Sequence, residues 1–518
     1  MTAAAAHPAA VPGLRRNMVT ICAMTATIMQ ALDTTIANVA LPYMQGSLSA
    51  SQDQINWVLT SYIVAAAIMT APVGWIANRF GRKRIFIICS AGFTVASVMC
   101  GLAQDITQMV LFRLLQGVFG AALVPLSQAV MLDSYALHER AKAMAIWGMG
   151  VMMGPIMGPS LGAWLTETYS WHWVFFVNLP FGAITVVGLI IFMDETHLDT
   201  KLRFDWFGFT ALAIGIGALQ LALDRGEQLD WFNSWEIVIE FIVSGIGFYY
   251  FFAHSFTTER PFIQFAIFAD KNFAAACIFM VVIGVVLFST MALASPLFQN
   301  AFGYPILTAG LLLATRGSGT FVAMMMVSRL MKYFEAKYLI ATGLSLIAVT
   351  LYDMTGWTAD TQVKTIVVNS VIQGFGLGLV FVPLSTAAFM TLPNHLRTDG
   401  TSMLTLIRNV ASSIGISIVI AKLTSGTTRV HAVLAEHVTP FNQALQMPDV
   451  SSILNLQTDA GRAMMDAILY AQSQIIAFSQ DFELVMLVTL CAIPLAFIMG
   501  STKASMRAPS ADHAAVME

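Results

Sequence analysis

The sequence predicts an all-α polytopic membrane protein, and three observations lead there. Of its 518 residues, 57% are hydrophobic and only 11% are charged, whereas a soluble domain carries about 25% charged residues. Mean hydropathy is +0.73, so most of the chain is built for lipid. Apolar segments of spanning length recur from one end to the other; about 20 residues at about 1.5 Å each cover the hydrocarbon core. Lys and Arg gather in alternate connections between those segments. Strand alternation and barrel-type turns are missing from the pattern, so helices are the expected way to satisfy the backbone in lipid. A net charge of −3 with scattered basic residues leaves no nucleic-acid footprint.

Taken in order, the chain opens with a short tail, 1–16, expected in the cytoplasm. The apolar stretch after it is too long for a signal-peptide core and lacks a convincing cleavage site, so it is kept as a span. The predicted spans are 17–42, 54–77, 84–103, 108–131, 142–165, 172–193, 205–223, 234–254, 272–298, 306–328, 338–356, 364–390, 401–422 and 482–502, fourteen in all. With the N-terminus inside, the cytoplasmic connections hold most basic residues, among them Arg15, Arg16, Arg79, Arg82, Lys83, Arg84, Lys201, Arg260, Lys503 and Arg507. The opposite face holds only Arg225, Lys364, Arg429 and Arg462. The positive-inside rule then places both termini in the cytoplasm.

An internal repeat divides the chain. Gln116-Gly117 followed by Val124-Pro125-Leu126-Ser127 in the fourth span returns as Gln373-Gly374 followed by Val382-Pro383-Leu384-Ser385 in the twelfth. Two six-helix halves related as parallel repeats are one known transporter plan. The expected halves are 17–195 and 259–503, with two inserted helices within 196–258 and a cytoplasmic tail at 504–518. The polar stretch 424–481 is expected outside the membrane, either as a solvated cap or as a docking surface for another protein.

Charges inside the spans are the candidates for chemistry. Asp33 sits well inside the first span. A carboxylate at that depth costs about 2.5–3.5 kcal/mol on insertion scales. Uptake of a proton relieves that cost, so an acid that loads and unloads protons is a natural coupling site. The alternative is an acid permanently tied to a buried arginine. Arg113 in the fourth span needs a partner, because a buried guanidinium cannot discard its charge. Asp33 is one candidate for it, and a surface-seeking Arg113 is the other reading. Gln116 lies beside Arg113. Arg316, Gln373 and Arg408 are further polar groups within spans, and with Asn38 they are candidate contacts for substrate or for a wet cavity. Asp133 and Asp224 fall near predicted span ends and are read as interfacial, while Glu240 is ambiguous.

Two glycine patterns point to movement or close packing. The loop Gly74 to Arg84, GWIANRFGRKR, combines Gly74 and Gly81 with Asn78, Arg79 and Arg82. In the fifth span Gly150, Gly154, Gly158 and Gly162 recur every four residues, with Pro155 and Pro159 between them. Such a stripe lets a neighbouring helix approach closely, and it is expected to form a seam at which the halves slide. The 31 Met and 35 Phe suit both lipid contact and a permissive pocket. No Walker loop, GxSxG, HExxH or CxxC appears, and the five cysteines have no paired spacing. No metal or cofactor is expected, the chain is not read as an enzyme, and uphill transport would draw on an ion gradient.

These motifs, in this order, resemble the major facilitator superfamily and, within it, the 14-span drug:proton antiporters of the EmrB/QacA type. LDTTIANVALP (Leu32–Pro42), GWIANRFGRKR, RLLQGVFG (Arg113–Gly120), GPIMGPSLGAW (Gly154–Trp164), LALDRGEQLDWF (Leu221–Phe232) and IRNVASSIG (Ile407–Gly415) carry the resemblance over nearly the whole length. It implies multidrug efflux of hydrophobic or amphipathic compounds from an inner membrane, with the proton as coupling ion and Asp33 and Arg113 in the proton-linked roles. It also implies a periplasmic adaptor and an outer-membrane channel as partners, with the 424–481 loop as their contact. Asn78 departs from the family, which usually carries an acid there, and Ala163 stands where a second glycine is common. A proton-coupled importer of a small metabolite, or a non-transporting sensor or assembly subunit, are the competing readings.

Overall fold

A computed structural model describes residues 13–195, 203–258, 261, 263–393, 396–439, 447 and 454–498. The tail 504–518, most of the tail 1–16, and Lys201, Arg260, Lys503 and Arg507 lie outside the described residues. Among those described, every regular element is helical. Thirteen helices are long and apolar enough to cross a membrane, and a bent pair makes a fourteenth span.

The first half of the chain folds as α1 (Gly13–Ser47), α2 (Gln52–Thr70), α3 (Val73–Phe80), α4 (Arg82–Gly101), α5 (Ile106–Gly120), α6 (Leu123–Ser134), α7 (Arg140–Thr168), α8 (Trp173–Phe176) and α9 (Asn178–Phe192). Helix α2 starts from a capping box in which Ser51 and Gln54 bond each other's backbone amides. It meets α3 at a 56° bend at Pro72, which has no amide proton to continue the ladder. The fourth span breaks between α5 and α6 at Ala121–Ala122; Pro125, four residues on, cannot donate to the Ala121 carbonyl.

Helices α10 (Trp206–Arg225) and α11 (Trp235–Thr257) form a pair joined at Gly215 and Gly247, where a side chain on either would meet the other's backbone. α11 is 22% buried over its apolar window, against 61% for α1, so it lies at the periphery. The rest of the chain folds as α12 (Lys271–Pro296), α13 (Ile306–Tyr333), α14 (Ala336–Thr355), α15 (Val363–Ala388), α16 (Arg397–Ala435) and α17 (Asp459–Ala492). α1 packs along α7, and α13 along α15. The two sets of helices meet where α7 lies against α13 and where α16 lies against α3 and α6.

One expectation is extended and one corrected. Much of the stretch 424–481, whose apolar residues around Ala463–Ile476 have helical spacing, is helix: α16 runs on to Ala435 and α17 already begins at Asp459. Lys422 is 3.4 Å from Asp481, and His431 is 3.0 Å from Asp466, so the two extensions lie side by side. Polar helices of this kind carry no lipid signal, so hydropathy marks the spans and not the helical extensions beyond them. Residues 440–446 and 448–453 of that stretch lie outside the described residues.

The glycine stripe, in turn, faces α1 of its own bundle rather than the other half. A Cβ on Gly154 would strike the Ala31 carbonyl, one on Gly158 the Thr35 side chain, and one on Gly162 the Ile36 carbonyl at 3.0 Å. Gly150 faces Met24 and Thr27. The other face of α7 meets α13, where Ile156 covers Gly317 and the Pro159–Ser160 backbone lies over Gly310. α7 runs unbroken through both prolines; the side chain of Pro155 is outside those described.

Candidate proton-coupling and gating site

Asp33 and Arg113 are brought together at the centre of the first bundle, 0% and 1% exposed respectively. The spacing of Arg113 and Gln116 puts both on one face of α5, and Gly117 lets that face close on the Tyr62 carbonyl of α2. Arg113 Nη1 donates to Asp33 Oδ2 at 2.7 Å and to Gln116 Oε1 at 2.8 Å. Its Nε donates to the Val58 carbonyl at 3.0 Å. The guanidinium also lies 4.4 Å from the centre of the Tyr62 ring, a cation–π contact.

The other carboxylate oxygen of Asp33 accepts from Gln116 Nε2 at 2.8 Å and from Asn178 Nδ2 at 3.1 Å. Asn178 Nδ2 in turn reaches Ser97 Oγ at 2.9 Å, and Ser97 donates to the Phe175 carbonyl. Five helices and the short α8 therefore converge on one carboxylate. Arg113 gives the Asp33 carboxylate a donor and a counter-charge together, and Gln116 and Asn178 give it two more donors, so the buried group is fully partnered.

A second cluster ties the bundles together at the basic end. Asp133, at the end of α6, pairs with Arg82 of α4 and with Arg397 Nη1 of α16, the latter at 2.8 Å. Arg140 Nη1 crosses the same seam to the Phe389 carbonyl at 3.2 Å. A Cβ on Gly74 would lie 2.9 Å from the Asp399 Cα, so only glycine lets α3 sit against the start of α16. Gly81 adopts φ +96° beside the Glu195 carboxylate, which accepts from the Lys83 amide at 3.2 Å. Asn78 and Arg79 are half-buried and stand outside the Asp133 cluster.

The remaining candidates are dispersed. Arg316 Nη2 donates to Gln373 Oε1, beside a small apolar recess in the second bundle. Arg408 is half-buried, and among the described residues its guanidinium reaches the neighbouring Asn409, at 3.3 Å. Asn38 is exposed and lines neither recess beside Arg316. Nothing in the sequence singles out Asn178, Ser97 or Asp399, and Asp133 reads there as interfacial. The signal for Asp133 was its position at a span end facing a basic loop. A neutral Asn or Ser in an apolar segment offers no such signal.

Comparison with known proteins agrees with this architecture. The description "Major Facilitator Superfamily" matches residues 23–416. The chain is 34% identical over 440 residues to the multidrug export protein EmrB of Escherichia coli (strain K12), covering 84% of this chain and 85% of that one. It is 33% identical over 435 residues to the fatty acid resistance protein FarB of Neisseria gonorrhoeae, covering 82% and 84%. In fold it is similar to the human organic anion transporter MFSD10 (TETRAN), with a TM-score of 0.56 at 12% identity over 92% of this chain and 100% of that one. A bacterial homolog of the human lysosomal transporter Spinster, inward-facing and unoccupied, gives a TM-score of 0.55 at 17% identity over 94% and 98%. The chain belongs to the major facilitator superfamily and, within it, to the EmrB-type group.

Proposed function

We propose that the protein exports hydrophobic or amphipathic compounds across an inner membrane, exchanging them for protons by alternating access. The observation that carries this reading is the Asp33–Arg113 pair, buried in a helix bundle and joined by Gln116 and Asn178. Similarity to a protein named for multidrug export supports the cargo class. Asp33 takes a proton from outside when the bundle opens and the pair parts. It returns the proton inside when the pair re-forms, and cargo leaves in the other half of the cycle.

In this reading the basic end faces the cytoplasm, with both termini there, and Asp133 is the clasp that holds that side shut. The Gly150–Gly162 stripe keeps α7 fixed to α1, so that the first bundle moves as one body against α13. Asn38 and Arg408 remain candidate cargo contacts.

An adaptor in the periplasm leading to an outer-membrane channel fits the length of α16. Its 39 residues extend about 58 Å at about 1.5 Å per residue, roughly twice the hydrocarbon thickness.

The test is substrate-driven transport in liposomes holding purified protein. Asp33→Asn should insert and remain folded yet lose proton-coupled efflux. Normal extrusion by that variant defeats the assignment.

A further inference from the structure

The second bundle holds a half-buried cation with no acid lining the recesses beside it among the described residues. Arg316 projects from α13 and donates through Nη2 to Gln373 Oε1 of α15. That bond fixes the amide of Gln373 with its Nε2 turned elsewhere. Arg316 Nη1 and Gln373 Nε2 are both buried, and neither finds an acceptor among the described residues. Nearby hydroxyls are turned onto the backbone: Thr320 onto the Arg316 and Gly374 carbonyls, and Thr290 onto the Val286 carbonyl.

The surroundings are apolar and partly open. Arg316, Leu287 and Leu377 line both the small apolar recess and an adjoining one. The second recess extends past Met291 to Met152 and Ile156 of α7, so it spans the junction of the two bundles. No Asp or Glu lines either space.

A guanidinium cannot shed its proton, so its charge persists in this apolar setting. The two unmet groups are both donors, and the local charge is positive. The missing partner must therefore accept hydrogen bonds, and an anion does so while also balancing the local charge. Arginine's planar fork suits a carboxylate or a similar oxyanion better than it suits any neutral group.

From this we infer the cargo class, building on the export reading above: an amphipathic anion. Its oxyanion accepts from Arg316 Nη1 and Gln373 Nε2. Its hydrocarbon body lies along Leu287, Met291, Met152 and Ile156, where unbranched methionines adapt to varied shapes.

The test uses the full chain in nanodiscs, with empty discs as background, and three radiolabelled probes: decanoate, methyl decanoate and tetraphenylphosphonium. Wild type should bind decanoate at least tenfold more tightly than the ester or the cation. Arg316→Gln should abolish that preference, and Arg316→Lys should restore part of it, which a merely structural arginine would not do. Equal binding of decanoate by wild type and Arg316→Gln overturns the inference, as does a wild-type preference for the ester or for tetraphenylphosphonium. Transport of decanoate in liposomes separates the two readings. Arg316-dependent binding without transport leaves the anion site standing and removes the export reading. Transport that is indifferent to Arg316 does the reverse.

Discussion

Arg113 is buried and Arg316 half-buried; each is bonded to the glutamine of a repeated Gln-Gly pair, and they differ in what balances them. In the first bundle α1 brings Asp33 to Arg113, and Gln116 bridges the two. In the second, α12 brings Leu287 and Thr290 toward Arg316, and no carboxylate faces it. The repeat has kept the close helix approach: Gly117 meets the Tyr62 carbonyl, and Gly374 meets the Arg316 carbonyl. It has not kept the acid. One bundle therefore contains its own counter-ion, which the proposed cycle exchanges for a proton. The other leaves its cation free for something that arrives from outside. Proton work and cargo recognition are in this way assigned to different halves of one repeated scaffold.

Removing the balance in the first bundle should have the largest effect. Arg113→Ala leaves the Asp33 carboxylate buried among two amides, and losing one partner of such a pair costs about 3–5 kcal/mol. Thermal unfolding followed by size-exclusion fluorescence should show a clear fall in stability. The double variant Asp33→Leu, Arg113→Leu should regain most of that stability while staying inactive, which separates the fold from the chemistry. Next comes the clasp. Asp133→Ala deletes charge-assisted bonds worth about 1.5–3 kcal/mol each and leaves Arg82 facing Arg397. Cysteines placed near Phe389 should then react faster with a water-soluble maleimide, and an unchanged rate would remove Asp133 from the gate. Gly154→Val forces a side chain against the Ala31 carbonyl and should cost about 1–3 kcal/mol in stability. The same change at Gly245, which has open space around it, should cost far less. The smallest effect belongs to Asn178→Ala, which removes one of three donors to Asp33 at a cost of about 1 kcal/mol. Its signature should be a shifted pH profile of efflux rather than a loss of protein.

Much of this arrangement is legible in the amino acids themselves. Spans stand out because lipid admits few charges, and for the same reason Asp33, Arg113 and Arg316 draw attention as exceptions. What periodicity cannot supply is the partner. The glycine stripe declares a close approach, yet nothing in its spacing says that α1 rather than α13 fills it. Asp133 looks like an ordinary end-of-span acid until Arg397, 264 residues away, is folded beside it. Asn178 and Ser97 are uncharged, so lipid does not single them out. The outer parts of α16 and α17 are too polar for hydropathy to register and depend instead on packing against each other.

The central claim is that Asp33 changes its protonation as the transporter cycles, and proton release measured on purified protein with a pH indicator addresses it directly. Adding an exported compound to wild type in weakly buffered detergent solution should liberate protons, and Asp33→Asn should liberate none. A variant that releases as many protons as wild type, or a wild type that releases none while binding its cargo, contradicts the account.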